Sequence, residues 1–183
     1  RTRHDTRDTY TLELSPLYGE PLRFAPGQFT MLQAWGIGEV PISISGDPHG
    51  SGLLEHTIRN VGNVTRALVH TSRGATVGVR GPFGTGWEVE RGAGGDVVFI
   101  VGGIGLAPLR PAILHVVRHR DQYGRVVLLY GARTPDDILF APDLERLQDD
   151  CGIDVAVTVD NAPHSWRGRV GFVTSLIPRA GFD

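Results

Sequence analysis

With 183 residues the chain is long enough for one large or two small domains, and its 40% hydrophobic and 21% charged content is that of an ordinary folded protein. A net charge of −2 gives no reason to expect nucleic acid or an anionic membrane as partner, and no apolar run approaches the roughly 20 residues that cross a bilayer. No signal peptide is visible and Cys151 stands alone, so neither a disulfide framework nor a cysteine metal site can be built, and the cytoplasm is the expected compartment.

Residues 1–92 read as all-β. Residues 9–14 alternate polar and apolar side chains as a half-buried strand does, and after a run of Pro and Gly the pattern resumes in residues 28–32, 41–45, 53–59 and 76–80. Short strands separated by Gly/Pro turns imply a small antiparallel barrel or sandwich. Residues 64–70 lack the alternation and read as a short helix, with Asn63 as its N-cap and Gly74 as its stop. The glycine-rich residues 91–95 read as a linker.

From Asp96 the period changes. Val97, Val98, Phe99, Ile100 and Val101 form a continuous apolar run, the pattern of a strand buried on both faces, and lead straight into Gly102, Gly103 and Gly105. Leu109, Ala112, Ile113, Val116 and Val117 then share one helical face. Residues 126–130 read as a second buried strand, 135–150 as a helix and 153–159 as a third strand, and a last helical segment begins near Phe172. Such alternation predicts a parallel sheet with right-handed crossovers.

A strand, a glycine turn and a helix together let the backbone approach a bulky ligand and aim free N–H groups at it. Residues 102–108 are therefore a candidate phosphate-nucleotide site; taken alone, they read equally as a tight turn with no ligand. The seven histidines are scattered without ligand spacing and read as solvated or capping residues. Trp35, Trp87 and Trp166 read as packing residues, and Cys151 as structural.

Six stretches, residues 27–32, 38–45, 61–68, 80–84, 102–108 and 131–140, follow one another as in a known family. In them the chain resembles the ferredoxin–NADP reductase superfamily, and within it the gamma (diaphorase) subunits of NAD(P)-linked nickel–iron hydrogenases and sulfhydrogenases. The resemblance implies an antiparallel Greek-key flavin-binding barrel in residues 1–92, its first strand truncated. An α/β parallel-sheet domain for the nicotinamide nucleotide follows in residues 93–183, with its C-terminal part missing.

Pro41, Ile42, Ser43 and Ile44 match the family's flavin strand, Arg-x-Tyr-Ser, with Val40 at the arginine position and Ile42 at the tyrosine position. The match implies Ser43 as the catalytic position, near the redox-active nitrogen of FAD. Gly62, Asn63, Val64 and Thr65 match the second flavin segment, whose backbone N–H groups hold a pyrophosphate, and Thr57, Ile58, Arg59 and Val61 belong to the implied cofactor-binding set. Arg59 or Arg66 supplies the charge that Val40 lacks, and the sequence does not choose between them. Gly102, Gly103, Gly105, Leu106, Ala107 and Pro108 match the nicotinamide-nucleotide turn, with Gly131, Ala132 and Arg133 expected across the same crevice. Arg133 either contacts a ribose phosphate, favouring NADP, or pairs with Asp136 or Asp137. Asp137 and Asp160 complete the implied set, although Asp160 reads equally well as a loop cap.

The resemblance thus implies an FAD-dependent NAD(P)H oxidoreductase that passes electrons between NAD(P)H and iron–sulfur clusters of a multisubunit complex. A cytoplasmic nickel–iron hydrogenase is the expected complex, with its iron–sulfur and hydrogenase subunits as partners. The alternatives are the electron-transfer subunit of a dihydroorotate dehydrogenase or sulfite reductase, and a non-catalytic flavin- or nucleotide-binding module. Family members have strand residues ahead of the region matching Arg3. Beyond the position of Asp183 they have a Cys-Gly-Pro strand and, in this branch, a cysteine cluster for a [2Fe–2S] centre. A longer protein is therefore expected, with that centre in its remainder or in a partner.

Overall fold

A computed structural model describes residues 1–50 and 52–181, so the last two residues of the expected second domain lie outside the described residues. The alternating N-terminal pattern forms β1 (Thr2–Thr6), β2 (Thr9–Leu14), β3 (Phe29–Ala34), β4 (Gly38–Ser43), β5 (Leu54–Arg59) and β6 (Gly78–Phe83). They make two three-stranded antiparallel sheets, β1-β2-β5 and β4-β3-β6. The alternation did not announce β1, which pairs with β2 from Thr2↔Leu12 to Thr6↔Thr9.

The two sheets are joined at residues 43–45. Ser43 still pairs with Phe29 of β3, whereas Ile44 bridges to His56 and the Ser45 N–H bonds to the Glu55 carbonyl at 2.9 Å. A strand that changes sheets at a bend is one way to make such a corner. Leu12, Leu32, Ala34, Ile58, Leu68 and Val69 form the core here, with Val40 and Ile42 packed against it.

Leu68 and Val69 come from α1 (Asn63–Val69), which begins one residue earlier than expected: Gly62, not Asn63, is the N-cap, and Asn63 is already helical. Thr65 Oγ1 reaches back to accept from the Gly62 N–H at 2.9 Å, as the third residue of a capping box does. The helix stops before His70, well short of Gly74.

In the second half β7 (Val97–Gly102), β8 (Val126–Ala132), β9 (Asp154–Val159) and β10 (Arg169–Val170) pair in parallel in the order β10-β9-β8-β7. Their crossovers carry α2 (Leu106–Arg118) and α3 (Ala141–Asp149). All of β8 is buried. Contrary to expectation β7 is not buried on both faces: among the described strands it lies at the sheet edge, and Ile100 is 42% exposed.

The helix expected over residues 135–150 is interrupted. A 3-10 turn at Pro135–Asp137 is followed by Phe140 at φ 54°, a left-handed conformation that costs a non-glycine residue roughly 1–2 kcal/mol and breaks the helical path ahead of α3. The segment after Phe172 is a 3-10 helix, Val173–Arg179. It lays Val173, Leu176 and Ile177 against Val127 and Leu129.

The residues gather into two compact units. One holds Arg1–Glu88 and Ala107–His115; the other holds Val89–Leu106 and the chain from Val116 onward. The first half of α2 thus groups with the N-terminal residues, although it follows β7 in sequence. Arg110 shows why: its Nη1 donates to the Ser45 carbonyl at 2.8 Å and to Glu55 Oε2 at 3.1 Å.

Candidate functional site

In the first unit the residues expected to meet a flavin lie at the sheet corner, along β5 and at the start of α1. Ser43 is half-buried, and its hydroxyl has no hydrogen-bond partner among the described residues. Its carbonyl accepts from His56 Nδ1 at 3.0 Å, and His56 Nε2 lies 3.2 Å from Thr30 Oγ1. A carbonyl only accepts, so Nδ1 carries the proton and Nε2 accepts from the Thr30 hydroxyl; the network assigns the tautomer. Burial pushes the pKa of His56 down to about 4, opposed by hydrogen bonding to the Ser43 and Ile42 backbone. The reading of the histidines as solvated or capping fails here, because His56 is fully buried.

Beside it runs a chain of hydroxyls. Thr57 Oγ1 is 2.9 Å from Ser45 Oγ and 2.8 Å from Thr11 Oγ1, and the Thr11 hydroxyl donates to Asp5 Oδ2 at 2.6 Å. Arg3 Nε holds the other Asp5 oxygen at 2.7 Å. The carboxylate accepts only, so each hydroxyl donates toward it: Ser45 to Thr57, Thr57 to Thr11, Thr11 to Asp5. The Thr57 hydroxyl is therefore committed inside the protein. Ile44 and Ile58 are each 1% exposed. Of the expected cofactor-binding set, these three side chains face inward and leave only backbone to a ligand.

Pro41, Val61 and Asn63 are exposed, and Ile42, Gly62 and Val64 half-buried. Thr65 is buried, and its Oγ1 also accepts from the Val61 N–H at 3.2 Å. Arg59 Nε is buried without a hydrogen-bond partner, 3.6 Å from an Asp8 carboxylate oxygen, and the neighbouring Asn60 Oδ1 is likewise buried and unpartnered. Arg66 is exposed. Of the two arginines that the sequence left open, Arg59 holds the orphaned buried donor.

In the second unit the carboxyl ends of three parallel strands lie side by side, with Gly102 beside Gly131 and Gly131 beside Thr158. Three of the expected glycines have separate physical reasons. Gly103 has φ +54°; a Cβ on Gly105 would sit 3.0 Å from Val101 Cγ2; one on Gly131 would sit 2.9 Å from Val173 Cβ. The first is a backbone demand, and the other two allow close packing. Gly102 is exposed, and its Cβ would meet nothing nearer than the Gly131 carbonyl at 3.9 Å.

Leu106, Ala107 and Ala132 are buried and Pro108 half-buried, so their side chains anchor the turn. Arg133 is exposed and forms no ion pair with Asp136 or Asp137 among the described residues. Asp137 instead accepts from the Thr134 hydroxyl at 2.8 Å. Backbone bonds from Asp160 to Ala132 and from Asn161 to Arg133, both 2.9 Å, carry the ladder past the strand ends and fix Arg133 at the rim. The Asp160 side chain is half-buried there.

Among the described residues no group of three or more His, Cys, Asp or Glu is placed to hold a metal, and no helix is long and apolar enough to cross a membrane. Trp35 does not pack as expected, being 61% exposed, whereas Trp87 lies over Gly27, whose Cβ would fall 2.8 Å from the ring. Sequence reasoning missed His56, Ser45 and Arg110. His56 carried a signal, since it stands two residues from both Leu54 and Ile58 and so shares their inward face.

Residues 99–180 match the family model of the oxidoreductase NAD-binding domain. The sulfhydrogenase 1 subunit gamma of Pyrococcus furiosus is 41% identical over 134 residues, covering 73% of this chain and 46% of that protein. A probable dihydroorotate dehydrogenase B (NAD(+)) electron transfer subunit of the same organism is 33% identical over 166 residues, 90% of this chain and 59% of that one. The chain thus spans about half the length of these curated relatives. Among solved structures, a ferredoxin NADP+ reductase from Neisseria gonorrhoeae with bound FAD and NADP superposes at a TM-score of 0.78 with 21% identity, over 97% of this chain and 73% of that one.

Proposed function

We propose that the chain, whose residues 99–180 match the oxidoreductase NAD-binding domain, is an FAD-dependent NAD(P)H oxidoreductase acting as an electron-transfer subunit. The observation that carries this reading is the open glycine end of β7, aligned with the ends of β8 and β9 inside the matched segment. The carboxyl edge of a parallel sheet is where open α/β folds take their ligands. The flavin is assigned to the barrel of residues 1–92 and the nucleotide to residues 93–183.

Ser43 at the barrel corner and Arg59 at the last position of β5 fit a flavin. The Ser43 hydroxyl is unpartnered, and Arg59 holds a buried donor with no acceptor within hydrogen-bond reach, which a pyrophosphate oxygen would satisfy. When bound, the flavin supplies the conversion between a two-electron hydride and single electrons. The protein's part is to offer the Ser43 hydrogen bond, to neutralise phosphate charge through Arg59, and to hold both groups in place. On the nucleotide side, Gly102 and Gly103 admit a phosphate to the backbone and Arg133 faces a ribose phosphate. No acid or base in the protein is needed for hydride transfer.

The sulfhydrogenase gamma subunit's higher identity favours a hydrogenase as the complex, read here as a cytoplasmic nickel–iron enzyme whose iron–sulfur partner exchanges electrons with the flavin. A second reading, the electron-transfer subunit of a dihydroorotate dehydrogenase, is favoured by the wider span of that match. The test is anaerobic addition of NADH or NADPH to the full-length protein, followed by identification of the co-purifying subunits. Bleaching of a flavin absorption band is expected; a protein without flavin, or with one that neither nucleotide reduces, refutes the oxidoreductase reading. Ser43→Ala is expected to slow the bleaching while leaving flavin content intact, and loss of the flavin instead would make Ser43 a retention residue.

A further inference from the structure

We propose that His56 is a positioning residue for the flavin site: its Nδ1–H holds the Ser43 carbonyl at the sheet corner and so sets how Ser43 is presented to the cofactor. The inference rests on the reading of residues 41–44 as the flavin strand. It adds a role for a buried side chain that belongs to the barrel interior and lies outside the expected binding set.

The main chain changes partners at this corner. The Ile44 N–H bonds back to the Gln28 carbonyl at 3.0 Å, and the Ser45 N–H bonds forward to the Glu55 carbonyl at 2.9 Å. Just before the switch, the Ser43 carbonyl takes a side chain, His56 Nδ1, as a partner. Two other side chains steady the corner, Thr57 on the Ser45 hydroxyl and Arg110 on the Ser45 carbonyl. Of these contacts, only that of His56 acts on Ser43 itself.

The surroundings argue against a purely space-filling role. His56 sits opposite Leu12 across the sheet, and Leu12, Leu32 and Ile58 line the core on its side. An aliphatic residue would fill such a place without desolvating an imidazole, so packing alone does not call for histidine. What the imidazole adds is a donor of fixed direction. The Ser43 carbonyl only accepts, which keeps the proton on Nδ1, and the Thr30 hydroxyl then donates to Nε2. Displacing a positioned group by about an ångström costs on the order of 100-fold in rate, so a pin on the Ser43 peptide carries kinetic weight without touching the flavin.

Three variants of the full-length, FAD-loaded protein separate positioning from packing. His56→Leu fills the interior without a donor, and His56→Asn returns an N–H donor near the place of Nδ1. Thr30→Val disturbs the same interior but leaves the Ser43 contact. At saturating NAD(P)H, His56→Leu is expected to slow flavin reduction roughly 10-fold to 100-fold and to shift the flavin's visible bands. His56→Asn should recover most of that loss, and Thr30→Val should lower thermal stability while keeping the spectrum. In the apoprotein, nitrogen-15 NMR should find the proton of His56 on Nδ1. The proposal is overturned if His56→Leu reduces at the wild-type rate with an unshifted spectrum, if His56→Asn is no better than His56→Leu, or if the proton resides on Nε2. A wild-type protein that takes up no flavin overturns the flavin reading and this role with it, whereas normal uptake with an indifferent His56→Leu overturns this role alone.

Discussion

A neutral His56 ties the stability of the N-terminal strands to pH. Its pKa in the folded chain is about 4, against 6.5 when exposed. Between those values the unfolded chain binds a proton that the folded chain refuses, so stability rises with pH there. The contribution is therefore fully present above pH 6.5 and lost as pH falls toward 4, a loss on the order of 3 kcal/mol. Urea melts of wild type and His56→Leu at a series of pH values check this: the wild-type midpoint should fall across that window more steeply than the variant's, and parallel curves refute it. Arg133 carries a second expectation at this scale. It is exposed and unpaired with Asp136 or Asp137, so its charge is available to a ribose phosphate. A hydrogen bond to a charged group is worth about 1.5–3 kcal/mol, so Arg133→Ala should raise the KM for NADPH about tenfold or more while changing that for NADH little. Equal effects on both nucleotides would remove Arg133 from the phosphate contact.

Among the elements, the Val173–Arg179 3-10 helix lies so close over β8 that Gly131 has no room for a side chain. Gly131→Ala would bring a Cβ within 2.9 Å of Val173 Cβ, and overpacking of this kind costs about 1–3 kcal/mol. Chemical denaturation should show that loss, with the KM for nucleotide nearly unchanged; intact stability with a raised KM would make Gly131 a ligand-contact glycine instead. The sequence made β8 plain, because an unbroken apolar run has one economical place, the middle of a parallel sheet. It could not show that β7 lies at the described edge, since edge and centre differ by a neighbour and not by the strand's own residues. β1 was invisible to the alternation for another reason: Thr-Arg-His-Asp-Thr holds no apolar side chain, and the Asp5 side chain, only 7% exposed, is bonded to Arg3 and Thr11. The overlong helix at 135–150 failed on one backbone torsion, Phe140, which periodicity does not record. At the candidate site, the glycines and Ser43 were legible from local pattern. Arg110 was not, because its partner Ser45 is 65 residues away.

That distant contact bears on how the whole chain is divided. The expected boundary near residue 92 follows composition, but the first unit also contains Ala107–His115. Within that stretch Ala112 and Ile113 are buried, and Arg110 bonds to the Ser45 carbonyl and to Glu55. Both groups of the Arg110–Glu55 pair are less than a quarter exposed, at 18% and 24%, so solvent screens it only in part. A chain ending at residue 92 therefore loses a packed helical segment and the cation that steadies the sheet corner. Such a fragment is expected to fold less stably than the same residues in the full chain, with amide exchange at Ile44 and Ser45 faster by roughly tenfold or more, since about 1.4 kcal/mol of lost protection is a factor of ten. Arg110→Ala in the full chain should reproduce part of the effect, lowering stability by about 1–3 kcal/mol and speeding exchange at the same two amides. Exchange in the fragment as slow as in the full chain would show that residues 1–92 complete their own unit, and that the first half of α2 adds nothing to the corner on which the flavin reading depends.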